Sequence, residues 1–154
     1  MRENETVRAF EELSLPPSEF RHHEHLLVAW NYLRDLPFGE AGARFARNLR
    51  RFASAHGVEG KYHETITWAY LALLNERLHT TARARSPEAS FAEFLAQNRD
   101  LLDRERGALA AIYDRETLAS PLAREAFVLP RPRLAAGAHR LAHETVAHDA
   151  ERQR

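Results

Sequence analysis

Residues 62–80 read YHETITWAYLALLNERLHT and contain the longest apolar stretch of the chain, Trp68 to Leu74. Their apolar residues recur three and four positions apart, at Ile66, Tyr70, Leu71, Leu74 and Leu78. This spacing places them on one face of an α-helix. The β-branched run Thr65–Thr67 favours a strand instead, but it is short and the periodic pattern is long. We therefore predict one long helix over residues 62–80, with this face buried.

Periodic segments of the same kind lie on either side of this helix, separated by Pro and Gly residues. Further main helices are predicted over about residues 5–14, 18–35 and 39–56. Short helices are predicted from Ser86–Pro87 to about residue 98, over residues 103–114, and from Ser120–Pro121 to Phe127. The chain is therefore predicted to be all-α, a bundle of about four main helices with additional short helices. Residues 1–130 form its single domain, and residues 131–154 form a C-terminal tail that is either helical or poorly ordered.

The composition excludes several classes of function. The chain has 154 residues, 22 Lys and Arg against 22 Asp and Glu, no Cys and nine His. A net charge of zero removes the bulk attraction to nucleic acid or an anionic membrane, and no apolar segment reaches the ~20 residues of a membrane span. The absence of Cys excludes disulfides and thiolate metal sites. Because residues 1–5 lack the apolar core of a signal peptide, a cytoplasmic location is expected.

Four of the nine histidines are predicted to face the core at one end of the bundle. His22 and His25 are three residues apart, so they share the apolar face of the second main helix. His56 continues the buried face of the third helix at its last turn, and His63 lies in the first turn of the fourth. Short connections make successive helices antiparallel, so these helix ends meet. The four imidazoles are therefore a candidate site for a divalent metal ion, and they do not distinguish Zn, Fe, Cu and Ni.

The sequence around the last of these histidines supplies candidate catalytic groups. Glu64 is the candidate general base or orienting carboxylate. Tyr62 and Lys61, the single Lys of the chain, supply a phenol and an ammonium that orient a substrate. Thr67 and Tyr70 lie one and two turns further along the same face and are predicted to line a binding pocket. Together these residues suggest a small metal-dependent enzyme that acts on a small polar or anionic substrate.

Other interpretations of the same residues stay open. An inward-facing His is often a core residue hydrogen-bonded to a backbone carbonyl, which would make the four histidines structural. The N-termini of the second and fourth helices, together with Lys61, alternatively form a pocket for an anion or a carboxylate. The chain is then a non-catalytic module that binds a metal or a small ligand, or a helical protein-interaction domain. Except in the last case, a small molecule is the expected partner.

Two segments resemble a known sequence pattern. Residues 20–26 read FRHHEHL and are followed by Ala29–Trp30, and residues 61–67 read KYHETIT. They resemble a group of short bacterial helical proteins that share F-x-H-x-x-H-L, then A-W, and later K-Y-H-E-T-I-T, over roughly residues 18–130. The resemblance implies that His22, His25 and residues 61–64 occupy motif positions, and it implies no particular activity. His23 is an additional histidine that departs from the pattern.

Overall fold

The structure, a computed structural model, describes residues 3–132, and over these residues it is all-helical and has no strand. Its eight α-helices are α1 (Glu3–Glu11), α2 (His22–Asp35), α3 (Phe38–Ala55), α4 (Glu64–Thr80), α5 (Phe91–Gln97), α6 (Ala108–Ile112), α7 (Arg115–Ala119) and α8 (Pro121–Glu125). The predicted fold class is confirmed. None of these helices combines the length and the apolar composition needed to cross a bilayer. Most of the predicted tail, with His139, His143 and His148, lies outside the described residues.

The three longest helices form the centre of the bundle. Helix α2 packs against α3 and α4, α3 and α4 contact each other, and α1 covers α2 and α3. Their buried faces bring together large apolar side chains that are at most 2% exposed, including Phe10, Leu26, Trp30, Leu71 and Leu74. Burying a side chain of this kind contributes about 1.5–3 kcal/mol. The packing of this core therefore fixes the relative positions of the ends of α2, α3 and α4.

The long helices lie where the periodic pattern places them, with one shifted start. Helices α3 and α4 agree with the predicted spans to within two residues. The helix predicted from residue 18 instead begins at His22, because residues 17–19 form a separate 3₁₀ turn and Arg21 is extended. A glycine with a positive φ of 67°, Gly57, follows the end of α3, in the conformation that favours Gly there.

The short helices depart further from the prediction. Helix α5 does not begin after Ser86–Pro87. It begins after Ser90, whose hydroxyl accepts the N–H of Glu93 (3.2 Å) while the Glu93 carboxylate accepts the N–H of Ser90 (3.3 Å). This capping box fixes the true start. Helix α7 was not predicted at all, whereas α8 begins after Ser120, as predicted.

The helix predicted over residues 103–114 spans only α6, because a tight turn precedes it. We refer to residues 99–107 as the 99–107 turn. At Gly107 an added Cβ would lie 2.0 Å from the carbonyl oxygen of Asp100 and 2.3 Å from that of Asp103. Only glycine allows the backbone to approach itself so closely. The turn therefore replaces the first part of the predicted helix.

The chain returns to the start of α4 at its C-terminal side, through residues 115–128, which we call the C-terminal segment. Thr65, fully buried, donates a hydrogen bond to the Ala126 carbonyl (3.1 Å) and accepts one from the Val128 N–H (3.1 Å). Helix α8 also packs on α4. The C-terminal segment is thus attached to the beginning of α4 by buried polar contacts.

Candidate ligand-binding site

A cavity of about 390 Å³ lies between α2, α3 and α4, at the end of the bundle where α2 and α4 begin. Small-molecule sites in proteins typically measure about 300–1,000 Å³. The walls are mainly apolar, and they include Leu26, Ala29, Phe45, Leu49, Phe52, Ile66, Leu71 and Leu74. Such walls favour a ligand with an apolar body.

The charged residues that line this cavity are all cations. They are Arg21, Lys61, Arg104 and Arg124, and all four are exposed. No Asp or Glu of residues 3–132 lines it. Arg124 also donates a hydrogen bond to the Gly60 carbonyl (2.7 Å), which fixes its position beside the segment that precedes α4. The opening is therefore electropositive although the chain has no net charge.

Two histidines at the start of α2 line the cavity. The ring of His25 stacks on that of Phe20, with 4.1 Å between centroids. Burial, and after it the charges of His22 and Arg104, lower the pKa of His25 to about 4. Burial also lowers the pKa of His22, whose Nε2 donates to the Leu101 carbonyl (2.8 Å). Both imidazoles are therefore neutral at pH 7, and the Nδ1 of His22 carries no proton.

His63 has a different role in the fold. It is buried at the N-cap of α4, where its Nδ1 accepts the N–H of Ile66 (3.1 Å) and its Nε2 donates to the Leu118 carbonyl (2.8 Å). A backbone N–H only donates and a carbonyl only accepts, so these bonds require the tautomer with its proton on Nε2. Both ring nitrogens are engaged. A metal ion could bind His63 only by displacing one of these bonds.

The four predicted metal ligands are not brought together as one group. Within residues 3–132, no three His, Asp or Glu side chains are arranged to hold a metal ion. His56 packs against Phe52, with 4.4 Å between ring centroids, and does not line the cavity. Its buried Nε2 has no hydrogen-bond partner among the described residues. The divalent metal ion therefore stays a prediction.

The three candidate catalytic residues lie at the start of α4: Lys61 and Tyr62 precede the helix, and Glu64 is its first residue. The Tyr62 hydroxyl donates to Glu64 (2.9 Å), and Arg50 pairs with the same carboxylate and lies 4.6 Å over the Tyr62 ring. Burial, and after it the hydrogen bond to Glu64, raise the pKa of Tyr62 to about 12, so the phenol stays protonated. Tyr62 and Lys61 line the cavity, whereas Glu64 does not. The catalytic role of these three residues stays a prediction.

The two predicted pocket residues of α4 both line the cavity. Thr67 donates a hydrogen bond to the His63 carbonyl (2.7 Å), so its hydroxyl is satisfied within the helix. Tyr70 is only 8% exposed, its ring lies 4.8 Å from that of His22, and its hydroxyl has no partner among the described residues. Buried hydroxyls are normally hydrogen-bonded. The Tyr70 hydroxyl is thus a polar group that a ligand can satisfy.

Arg104 is a lining residue that the sequence did not indicate, because residues 103–107 were assigned to a helix rather than to a turn. The turn is held to α4 by Arg77, which forms two hydrogen bonds with the Asp100 carboxylate (2.7 and 2.9 Å) and thereby lowers the pKa of that carboxyl. The available signal was the pair Asp103 and Gly107, two residue types that favour turns. A helical pattern outweighed it in the prediction.

Fold and site together define an all-α bundle with a ligand-sized cavity, apolar walls and a cationic opening. Comparisons with protein-family models, with curated proteins and with solved structures find no match to this chain.

Proposed function

We propose that the protein binds a small, largely apolar molecule in the cavity between α2, α3 and α4, as a ligand-binding protein of the cytoplasm. The observation that carries this proposal is the cavity itself, about 390 Å³ between the three central helices at the end where α2 and α4 begin. Protein interiors are otherwise close-packed, and empty apolar space lowers stability by ~24 cal/mol per Å³ in measured cases. A ligand that fills this space gains contacts that the core lacks.

The few polar groups of the cavity support the same proposal. Small-molecule sites combine apolar walls with a small number of placed polar groups. Here these groups include His22, His25 and Tyr70, all at the end where α2 begins. Because all three are uncharged at pH 7, they select a ligand by hydrogen bonding, and the apolar walls supply most of the affinity.

Toluene is a suitable probe, because it is apolar and has no polar head. We expect it to bind the full chain saturably, raise the melting temperature and shift the NMR signals of Ala29, Phe52 and Leu74. In Ala53→Leu, the added side chain occupies the cavity that Ala53 lines. Toluene affinity should then fall at least about tenfold, while the unfolding free energy stays equal or rises.

The matched control for this experiment is Ala46→Leu, on the same helix and the same face, two turns earlier. Ala46 is buried but does not line the cavity. Its substitution should overpack the core, cost about 1–3 kcal/mol of stability and leave toluene affinity unchanged. The proposal is wrong if toluene does not bind the unmodified chain, or if it binds Ala53→Leu with undiminished affinity.

A metal-dependent enzyme is the second candidate, supported by His22 and His25 on one side of the same cavity. A third ligand from His63 would require the loss of its bond to Leu118 or to Ile66. The test is metal analysis of untagged protein after incubation with Zn²⁺, Fe²⁺, Cu²⁺ or Ni²⁺. One equivalent of metal that is lost in His25→Gln supports this candidate. Less than stoichiometric metal at saturation contradicts it.

A further inference from the structure

We infer that the ligand is a lipophilic monocarboxylate, with its hydrocarbon body among the apolar walls and its carboxylate between Tyr70 and Arg104. This inference rests on the ligand-binding function proposed above and adds the chemical class of the ligand. It follows from an unpartnered buried hydroxyl, from a cation that lines the same cavity, and from the sign of the charges that line the cavity.

The buried hydroxyl of Tyr70 lacks a hydrogen-bond partner among the described residues. The residue is more than nine-tenths buried, and it lines the cavity. Burial raises the pKa of Tyr70, so the hydroxyl keeps its proton and remains a donor. A carboxylate is the strongest common acceptor for such a donor. A ligand carboxylate would therefore satisfy the group that the fold leaves open.

Arg104 lines the same cavity as this hydroxyl and supplies a positive charge there. After burial, which is the larger cause, the charge of Arg104 acts on the pKa of Tyr70, His22 and His25. It makes no ion pair with another described residue. Asp103 of the same turn also acts on Tyr70, but its carboxylate accepts two backbone N–H groups within the turn and does not line the cavity. The guanidinium is thus placed for a ligand.

The charges around the cavity select an anion of small size. Four cations and no carboxylate of residues 3–132 line it, so an ammonium ligand would meet only like charge. The planar fork of a guanidinium matches a carboxylate in shape as well as in charge. A phosphate would bring more negative charge and three acceptor oxygens to a part of the cavity that offers one buried hydroxyl donor. A monocarboxylate fits this donor set best.

Octanoate and its uncharged analogue octanamide test the inference on the full chain, by calorimetry at low ionic strength. We expect octanoate to bind at least about tenfold more tightly than octanamide and to weaken with added salt. In Arg104→Gln and in Tyr70→Phe, octanoate affinity should fall at least about fivefold, while toluene affinity stays unchanged. Arg106→Gln is the matched control, because Arg106 is an exposed cation in the same turn that does not line the cavity. It should bind octanoate as the unmodified chain does.

The outcomes separate the two proposals. If toluene binds but octanoate and octanamide bind equally, the carboxylate inference is overturned and the ligand-binding function stands. If octanoate affinity falls equally in Arg104→Gln and Arg106→Gln, the effect comes from the net charge of the turn. That result would also overturn the placement of the carboxylate at Tyr70 and Arg104. If neither toluene nor octanoate binds, both proposals are wrong.

Discussion

The starts of α2 and α4 meet at one end of the bundle, and both carry inward histidines, yet they use them differently. At α2, His22 bonds one ring nitrogen to Leu101, and His25 stacks on Phe20 beside the cavity. At α4, His63 has both ring nitrogens bonded to backbone, one within its own helix and one to the C-terminal segment. One helix start therefore leaves polar groups for a ligand, and the other uses its histidine to hold the fold together.

This difference gives the KYHETIT motif a structural meaning. His63 donates a hydrogen bond to the Leu118 carbonyl. Thr65 is hydrogen-bonded to the backbone of Ala126 and Val128. Thr67 donates to the His63 carbonyl. His63 and Thr65 thus attach the C-terminal segment to α4, whereas Thr67 bonds within the helix start. The histidines at the first and fourth positions of α2, in the FRHHEHL segment, line the cavity. His63 lines it as well, but both of its ring nitrogens are bonded to backbone. Both segments place histidines at a helix start, and the hydrogen-bond partners of these histidines differ.

The largest expected effect comes from removing His63. His63→Ala should lower the free energy of unfolding by about 3 kcal/mol, because the Ile66 N–H and the Leu118 carbonyl both lose their partner. His22→Ala removes one bond at a partly exposed site and should cost about 1 kcal/mol. Urea unfolding followed by tryptophan fluorescence measures both. Equal losses for the two variants would remove the distinction between the two helix starts.

The lowered pKa of His25 should make the stability of the fold depend on pH. Its pKa is 6.5 in the unfolded chain and about 4 in the fold, so the unfolded chain binds more protons between these pH values. Stability due to His25 is therefore present above pH 6.5 and is lost as the pH falls to 4, by roughly 2 kcal/mol for this partly buried ring. His25→Gln should flatten the curve of unfolding free energy against pH, whereas His23→Gln, with an exposed ring, is the control. An unchanged slope in His25→Gln would contradict the burial of this imidazole.

A smaller effect is expected at the attachment of the C-terminal segment. Thr65→Val keeps the shape of the side chain and removes its bonds to Ala126 and Val128. It should cost about 1 kcal/mol and speed hydrogen exchange at the Val128 amide, with toluene affinity unchanged. Thr80→Val, at an exposed threonine of the same helix, should change stability by less than about 0.5 kcal/mol. A loss of toluene affinity in Thr65→Val would mean that the two helix starts are not independent.

The smallest effect is expected at Glu64. Its ion-pair partner Arg50 is exposed while Glu64 is half-buried, and ion pairs open to solvent contribute about 0–1 kcal/mol. Glu64→Gln should therefore change stability by about 0.5 kcal/mol and leave the affinities for toluene and octanoate unchanged, by calorimetry. A drop in octanoate affinity of tenfold or more would place the carboxylate at the ligand and revive its role as a general base.

The periodic pattern predicted the long helices well, and the turns less well. Apolar spacing is a property of each helix, so α3 and α4 were located to within two residues. The start of α5 depends on the reciprocal bonds between Ser90 and Glu93, and the shortening of α6 depends on a backbone approach at Gly107. Both features come from specific local contacts that compete with a plausible helical pattern.

For the site, the same pattern predicted which histidines face inward, and it did not predict their partners. The carbonyl that engages His63 belongs to Leu118, 55 residues later, and no local spacing specifies such a contact. Arg104 lies in a turn and reaches the cavity only because Arg77 and Asp100 hold that turn against α4. Long-range contacts of this kind determine whether the ring nitrogens of a histidine are hydrogen-bonded to backbone or available to a ligand.

Imidazole NMR tests the central claim most directly. In long-range ¹H–¹⁵N spectra of the full chain, assigned with the single histidine variants, octanoate should shift the ring signals of His22 and His25 saturably. His63 should keep the chemical shifts of the Nε2–H tautomer throughout the titration. If octanoate binds while the ring signals of His22 and His25 do not move, the cavity at the start of α2 is not the binding site.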